Sequence, residues 1–503
     1  MKKRTKNLIL FFILFVISGA VFWNYISMHY ATDTYNIMNI GYEKYAINNS
    51  LSDGRIFMFF IGMFANAINM PINVYVIGLT VIALIVSCIC VIVLKDMMLK
   101  HGGTREGKLL EFIAILISYC TIFNFMYVEN LYFVESAVMS FSILFYILAI
   151  DQMMKKKKYY FLKALLLAVL ATFCYQGTIG LFIVLGLVFS IIKHPSDTKE
   201  IVKEFFLIVV IAGLSFIANL VQIEIATTIA GTVQKRLNGI QNLVENTIYI
   251  LSNFGTMVFS TIFVQNCGLF PSYLMLIFAL IITLVALIQE ILHKENRIFL
   301  NIVVIFIMTV LVTIAMCVVS ITSYDTGRIH FPVGALVGLL LIYLFSGTQS
   351  FVYYPAIKYI LLAITIIYVL IVTTNTIYVL YEHKEVNRLE VEQCRGLEEY
   401  ISNYEKANNV KITEARYFKL SNMKKYGYFT EIDNQSVLTY DGVACTWSAI
   451  GTINFYTERN FEDNYLEAYP NKELFYAYAA LRNTGYENNF VIMDNMLYFL
   501  AYI

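Results

Sequence analysis

The chain has 503 residues, of which 59% are hydrophobic and 14% charged, and a formal net charge of +1. Its apolar residues fall in long runs, which excludes a soluble domain of this size and fits a hydrocarbon environment. The near-neutral total gives no nucleic-acid footprint, so the informative quantity is where the basic residues stand.

The opening MKKRTK precedes a first apolar run, Asn7 to Ser27. That run is longer than a signal-peptide core and no small-residue cleavage site follows it, so it reads as an uncleaved span with the N-terminus inside. Residues 28–73 then form a first outer piece. Within it, RIFMFFIGMFANAINM (Arg55 to Met70) repeats Phe57, Phe60, Phe64 and Ala67 at helical spacing, the pattern of an amphipathic helix lying in the membrane interface. Further spans are predicted at about 75–94, 110–127, 132–150, 160–174, 177–192, 204–226, 272–292, 298–321, 333–346 and 357–380, about eleven in all.

Basic clusters test that order. Lys95, Lys100, Arg105 and Lys108 fall in one inside loop, Lys155 to Lys158 with Lys163 in the next, Lys193, Lys199 and Lys203 in a third, and Lys294 with Arg297 in a fourth. Outside loops hold few, among them Arg55, Lys235 with Arg236, and Arg328. An odd number of spans places the C-terminal segment outside. Between Lys158 and Ile192 two crossings are joined only by Phe173, Cys174, Tyr175 and Gln176, as two short helices or as a re-entrant pair. Residues 240–270, apolar but studded with Asn and Gly, suit an interfacial or cavity-lining segment.

Residues 1–380 thus read as a transmembrane domain and 381–503 as a small extracytoplasmic mixed α/β domain. The tail is rich in Glu, Lys, Asn and Tyr, and YFTEIDNQSVLTYD and FYTERNFEDNYLEAYP alternate short apolar strands with turn residues. Its Cys394 and Cys445 can pair if it faces an oxidising compartment, whereas the cysteines of the apolar runs read as small hydrophobes. No Cys/His spacing resembles a zinc site.

The ionisable groups cluster at the outer ends of spans. Asp33, then Asp53 with Arg55, stand in the first outer piece; Glu129 and Glu135 in FNFMYVENLYFVESAVM; Asp325, Arg328 and His330 in SYDTGRIHFP. Carboxylates from two loops facing an Arg and a His from a third suit a substrate with a phosphate and a hydroxyl. A carboxylate takes the proton of the attacking hydroxyl while Arg holds the phosphate leaving group. Glu135 heads an apolar run, where an unpaired charge is costly. Tyr175 and Gln176 stand at the outward tip of the tight pair. A transporter would instead carry ionisable or broken segments near the midplane and an internal repeat, neither of which is evident.

Three stretches carry a resemblance: Asp33 in ATDTY followed by Gly54-Arg55 in SDGRIF; NFMYVENLYFVESAVM with Glu129, Asn130, Leu131 and Glu135; and CYQGTIGLF with Tyr175 and Gln176. In these the chain resembles the bacterial serotype-converting glucosyltransferases of O-antigen modification and their Gram-positive relatives, enzymes of the GT-C fold. The likeness covers roughly residues 1–350. It departs where relatives often have paired acids and this chain has Asp33-Thr34, and where an Asp after Arg is replaced by Glu135 after Val134. The resemblance implies a GT-C-like fold in the bacterial cytoplasmic membrane, with the active site on the extracytoplasmic side. It also implies transfer of a sugar from a polyprenyl-phosphate donor to a cell-wall or surface polysaccharide, usually with inversion, downstream of a lipid-sugar synthase and a flippase. On this chain Asp33 becomes the base, with Glu135 and Asp53 as further catalytic carboxylates. Arg55 and Arg328 hold the donor phosphate, and Glu129, Tyr175, Gln176 and His330 contact substrate. No cofactor is expected; a divalent cation is the one compatible addition. A polysaccharide polymerase and a transporter or flippase of lipid-linked glycans are the alternatives.

Overall fold

The computed structural model describes residues 3–27, 29–101, 107–232, 239–263, 271, 273–293, 297–318, 327–347, 355–419, 441–462, 464–466 and 490–501. Asp325, Cys267 and most of the YFTEIDNQSVLTYD stretch lie outside the described residues. A multi-pass helical bundle makes up most of the rest. Every apolar run becomes a helix because hydrocarbon leaves the backbone no partner but itself. Prolines do not interrupt the long runs: Pro71, Pro195, Pro271 and Pro355 stand before or between helices, or at a first helical turn.

Eight helices among the described residues are long and apolar enough to cross a membrane. They are Lys3–Val21, Ile72–His101, Ser136–Lys155, Gln176–Lys193, Thr198–Ala230, Leu274–Leu292, Ile298–Met316 and Ala356–Asn408. Three other predicted runs form the shorter helices Lys108–Ile122, Tyr160–Cys174 and Leu336–Gly347. The last of these is buried on all sides from Leu336 to Ser346, which explains its uninterrupted apolar sequence: it is a core helix ringed by others. Tyr160–Cys174 and Ile179–Lys193 form the tight pair, turning through one 3-10 turn at Gln176–Thr178. The 240–270 region contains two short helices, Gly239–Ser252 and Phe254–Phe263.

The first outer piece folds as a chain of short helices, Thr32–Ile40, Tyr42–Tyr45 and Ile56–Ala67, with a π-helical turn at Ala46–Leu51. In Ile56–Ala67 one face, Met58, Gly62 and Ala65, packs inward. Phe60 and Phe64 face outward, each 59% exposed.

The helix that begins at Pro355 runs to Asn408 without a break, through the point where its composition turns polar near Tyr381. Its 54 residues span about 81 Å, against about 30 Å of hydrocarbon. The upper part is a wall of the tail: Cys394, Leu397 and Ile401 share a core with Ile412, Ile450 and Phe499. Strands β1 (Glu414–Lys419), β2 (Asn464–Leu466), β3 (Phe490–Met493) and β4 (Met496–Ala501) form a sheet in the order β2-β1-β4-β3. β1 is parallel to both its neighbours, and β3 and β4 form an antiparallel hairpin. Cys394 and Cys445 are both buried free thiols, so the pairing open to them in the sequence is not made.

The tail sits on the first outer piece. The Tyr35 hydroxyl donates to Glu390 of the long helix and lies 2.9 Å from the Tyr456 hydroxyl of the tail helix Ala449–Thr457. Gly451 is needed there, because a Cβ at that position would lie 2.2 Å from the Tyr35 carbonyl oxygen. Glu390 also accepts the Gly442 N–H at 2.7 Å, joining the three segments at one carboxylate.

Candidate active site

Helix Thr32–Ile40 starts immediately before Asp33, with the Thr34 hydroxyl accepting the Ala31 N–H at 3.2 Å. Asp33 therefore stands in a first helical turn, where the helix dipole favours a carboxylate. It is half-buried. Gly41, at φ +83°, then reverses the chain so that Tyr45 comes back under Asp33. The Tyr45 hydroxyl lies 3.2 Å from Asp33 Oδ2 and 3.2 Å from Glu135 Oε1, bridging the two carboxylates.

Glu135 is the residue before helix Ser136–Lys155 and is fully buried. Its Oε1 accepts from Arg55 Nη1 at 2.8 Å, while its Oε2 has no hydrogen-bond partner. Arg55 is buried too; Asp53 Oδ2 lies 3.6 Å from its Nη2, and its guanidinium stands over the Tyr175 ring at 5.2 Å. Burial alone would lower the Arg55 pKa, but the Glu135 and Asp53 charges reverse that and raise it.

The turn that aims Arg55 depends on Gly54, at φ +77°. A Cβ there would lie 2.8 Å from Gln176 Nε2, Asn219 Nδ2 and Ile223 Cδ1. Those amides hold the turn. Gln176 Nε2 donates to the Asp53 carbonyl at 2.5 Å and to Asn219 Oδ1 at 2.8 Å, and Asn219 Nδ2 donates to the Gly54 carbonyl at 2.9 Å. Gln176, expected at substrate, has its amide nitrogen turned to the backbone that positions Arg55.

A second acid–arginine pair stands beside the first. Glu129, in helix Tyr127–Tyr132, lies 3.0 Å from Arg328 Nε and accepts the Gly327 N–H. The Arg328 approach satisfies distance but not hydrogen-bond angle, so Arg328 Nε and Glu129 Oε1 remain without a directed partner. Arg328 also caps the Phe133 ring at 3.8 Å. Burial raises the Glu129 carboxyl pKa against the opposing pull of Arg328. Tyr175, Glu129, Arg55 and Asp33 all act on the Arg328 charge, so the two pairs are electrostatic neighbours. His330 is buried two residues further on, at the start of the short helix Phe331–Gly334.

Asp33, Asp53, Arg55, Glu129, Glu135, Tyr175 and Arg328 are thus brought together. Sequence reasoning missed Tyr45 and Asn219 and quoted Asn130 without a role; the Asn130 side-chain amide is buried with neither atom bonded. Only Asn130 had a sequence signal, an Asn beside Glu129 in an aromatic segment. Arg55 Nε is likewise buried and unpaired. A buried guanidinium nitrogen left unpaired costs free energy, and an anion is one group that can satisfy it.

One His/Glu grouping among the described residues has metal-compatible spacing: His194, Glu200 and Glu204. It lies at the far end of helix Ile179–Lys193, about 22 Å from Gln176 by helical rise. Glu204 is there already held by Lys156 at 2.6 Å and Lys193 at 2.8 Å.

The model of the family described as Glucosyl transferase GtrII matches residues 22–345, a stretch that contains every residue of this cleft. Neither a curated protein nor a solved structure matches the chain.

Proposed function

Because the chain belongs to the glucosyl transferase GtrII family, we propose that it moves a sugar from a polyprenyl-phosphate-linked donor to a cell-surface or cell-wall glycan, with inversion, at the outer face of the bacterial cytoplasmic membrane. This reading takes about eleven crossings with the N-terminus inside, an order in which these acids and the tail share the outer face. The observation that carries the reading is the pairing of two buried arginines with two carboxylates beside a more accessible Asp33. A lipid-linked donor presents its phosphate at the interface and its chain to hydrocarbon, and a cleft of this composition at the ends of spans suits both.

The Asp33 carboxylate takes the proton of the acceptor hydroxyl as that oxygen attacks the anomeric carbon from the face opposite the phosphate. The bond from anomeric carbon to phosphate oxygen breaks, and polyprenyl phosphate leaves with the electron pair. Arg55 and Arg328 stabilise the growing phosphate charge. Glu135 holds Arg55 in place and, through Tyr45, fixes the orientation of Asp33; Glu129 does the same for Arg328. Each of these acids except Asp33 and Asp53 is engaged closely by a guanidinium, a donor set that suits an anion better than a divalent cation.

The test is transfer by the purified protein in liposomes from a panel of radiolabelled undecaprenyl-phosphate sugars to cell-wall polymer, with Asp33→Asn and Glu135→Gln alongside. Transfer from one donor, lost in both variants of unchanged fold, supports the reading. No transfer from any donor, or transfer indifferent to both substitutions, refutes it.

A further inference from the structure

A second cavity lies where the long helix, the tail and the first outer piece meet. It has a volume of about 440 Å³ and is lined by Tyr30, Tyr381, Lys384, Asn387, Arg388 and Phe455, among others. That volume is in the range of a small-ligand site. We propose that it is a subsite for sugar residues of the acceptor glycan, so that the tail, and not only the bundle, selects the acceptor. This rests on the reading of the Asp33 cleft as a glycosyltransferase site.

Four observations point to a saccharide. First, aromatic rings are displayed rather than buried: Tyr381 is 60% and Phe455 39% exposed. The carbon–hydrogen faces of a pyranose pack on such rings, whose electron-rich faces attract polarised C–H groups. Second, Lys384, Glu385 and Arg388 set charged groups beside the rings, where sugar hydroxyls can bond them. Third, the walls are pre-set. Tyr30 N donates to Asn387 Oδ1 at 2.9 Å and Asn387 Nδ2 returns to the Tyr30 carbonyl at 2.9 Å. The Tyr30 and Phe455 rings meet edge to face at 5.5 Å, so little ordering remains to be done on binding.

Fourth, the position fits. Tyr381 lies 26 residues beyond Pro355, about 39 Å along the helix, past the thickness of hydrocarbon. Tyr30 and Asp33 are three residues apart, so their Cα atoms are separated by at most about 11 Å. A glycan seated in the cavity therefore reaches the base within a few sugar lengths. Most of the lining comes from residues 381–391 and 455–456, beyond the 22–345 stretch common to the family, as a determinant peculiar to this chain's acceptor would.

The experiment uses the full chain in nanodiscs and measures direct binding of defined gluco-, rhamno- and N-acetylglucosamine oligosaccharides by thermophoresis, alongside transfer kinetics. Phe455→Ala and Tyr381→Ala are compared with Phe455→Trp, and phosphatidylglycerol and phosphatidylcholine vesicles serve as competitors. The proposal expects at least one oligosaccharide to bind, each alanine variant to weaken it about tenfold, and Phe455→Trp to restore it. It also expects the acceptor KM to rise by a similar factor while the donor KM holds. Binding lost in the variants without any transfer by the native chain would sink the enzymatic reading and leave the subsite standing. Transfer with an unchanged acceptor KM in both alanine variants, no oligosaccharide bound, or displacement by vesicles alone, marking a lipid pocket, would overturn the subsite.

Discussion

The helix Ile179–Lys193 has a charge cluster near each end, and the two are built differently. At its C-terminal end Glu204 is surrounded by Lys156, Lys193 and His194, all still in contact with solvent. At its N-terminal end Arg55 and Glu135 are almost wholly excluded from solvent, yet each keeps a polar atom without a partner. The first cluster is closed and adaptable. The second withholds part of its bonding capacity inside the protein, where that is costly, and such a cost persists where a ligand completes the site. Charge alone therefore does not distinguish the two clusters; burial with incomplete pairing does.

The largest effect expected from that contrast is chemical. Asp33→Asn should lower kcat for sugar transfer by about two to four orders of magnitude with the melting temperature unchanged. If Glu204→Gln lowered it as far, the contrast would be broken. Next comes stability: Arg55→Ala leaves the Glu135 carboxylate buried and unpaired and should destabilise the protein by about 3–5 kcal/mol, measured by thermal unfolding in detergent. The double variant Arg55→Ala/Glu135→Leu should recover much of that, since no charge is then stranded.

Gly54→Ala should cost about 1–3 kcal/mol, from its positive φ and from the crowding of Gln176 and Asn219, and should raise the donor KM as Arg55 shifts. A pH effect sharpens the comparison from the tail. Burial pushes the Asp441 carboxyl up to about 7 from its ordinary 3.8. A raised acid favours its protonated form in the fold, so this contribution is full below about pH 4 and is lost as pH rises through 7. Protease cleavage near Ala449–Thr457 should accordingly quicken as pH rises from about 4 to 7, and Asp441→Asn should flatten that rise. The smallest effect should be Glu204→Gln, below about 1 kcal/mol by the same unfolding measurement, because its solvated partners relax into water.

The helices were legible because long apolar runs leave a backbone in hydrocarbon one solution, and the acids at their outer ends were legible because charge at such depth is expensive. The pairing was not. Nothing local to Glu135 names Arg55, 80 residues earlier, and Val134 in place of a charged neighbour suggests that no partner exists. Tyr45 was invisible for the same reason: its hydroxyl bridges Asp33 and Glu135 only after Gly41 turns the chain. Near Tyr381 the shift in composition reads as a domain boundary, whereas the helix continues for another 27 residues. Composition records the solvent around a helix, and this helix changes solvent without changing structure.

The joint at Glu390 also has a consequence for how the protein is made. Tyr35 meets a carboxylate 355 residues later and a phenol 421 residues later. A ribosome thus finishes the first loop long before the roof over it exists, and during that interval the loop's docking face stands open. Chains cut short before Glu390 should insert normally but be cleared by surface proteases, and a nascent chain should acquire protection only in the last moments of its synthesis. Completion of the polypeptide is in this sense the event that licenses the enzyme.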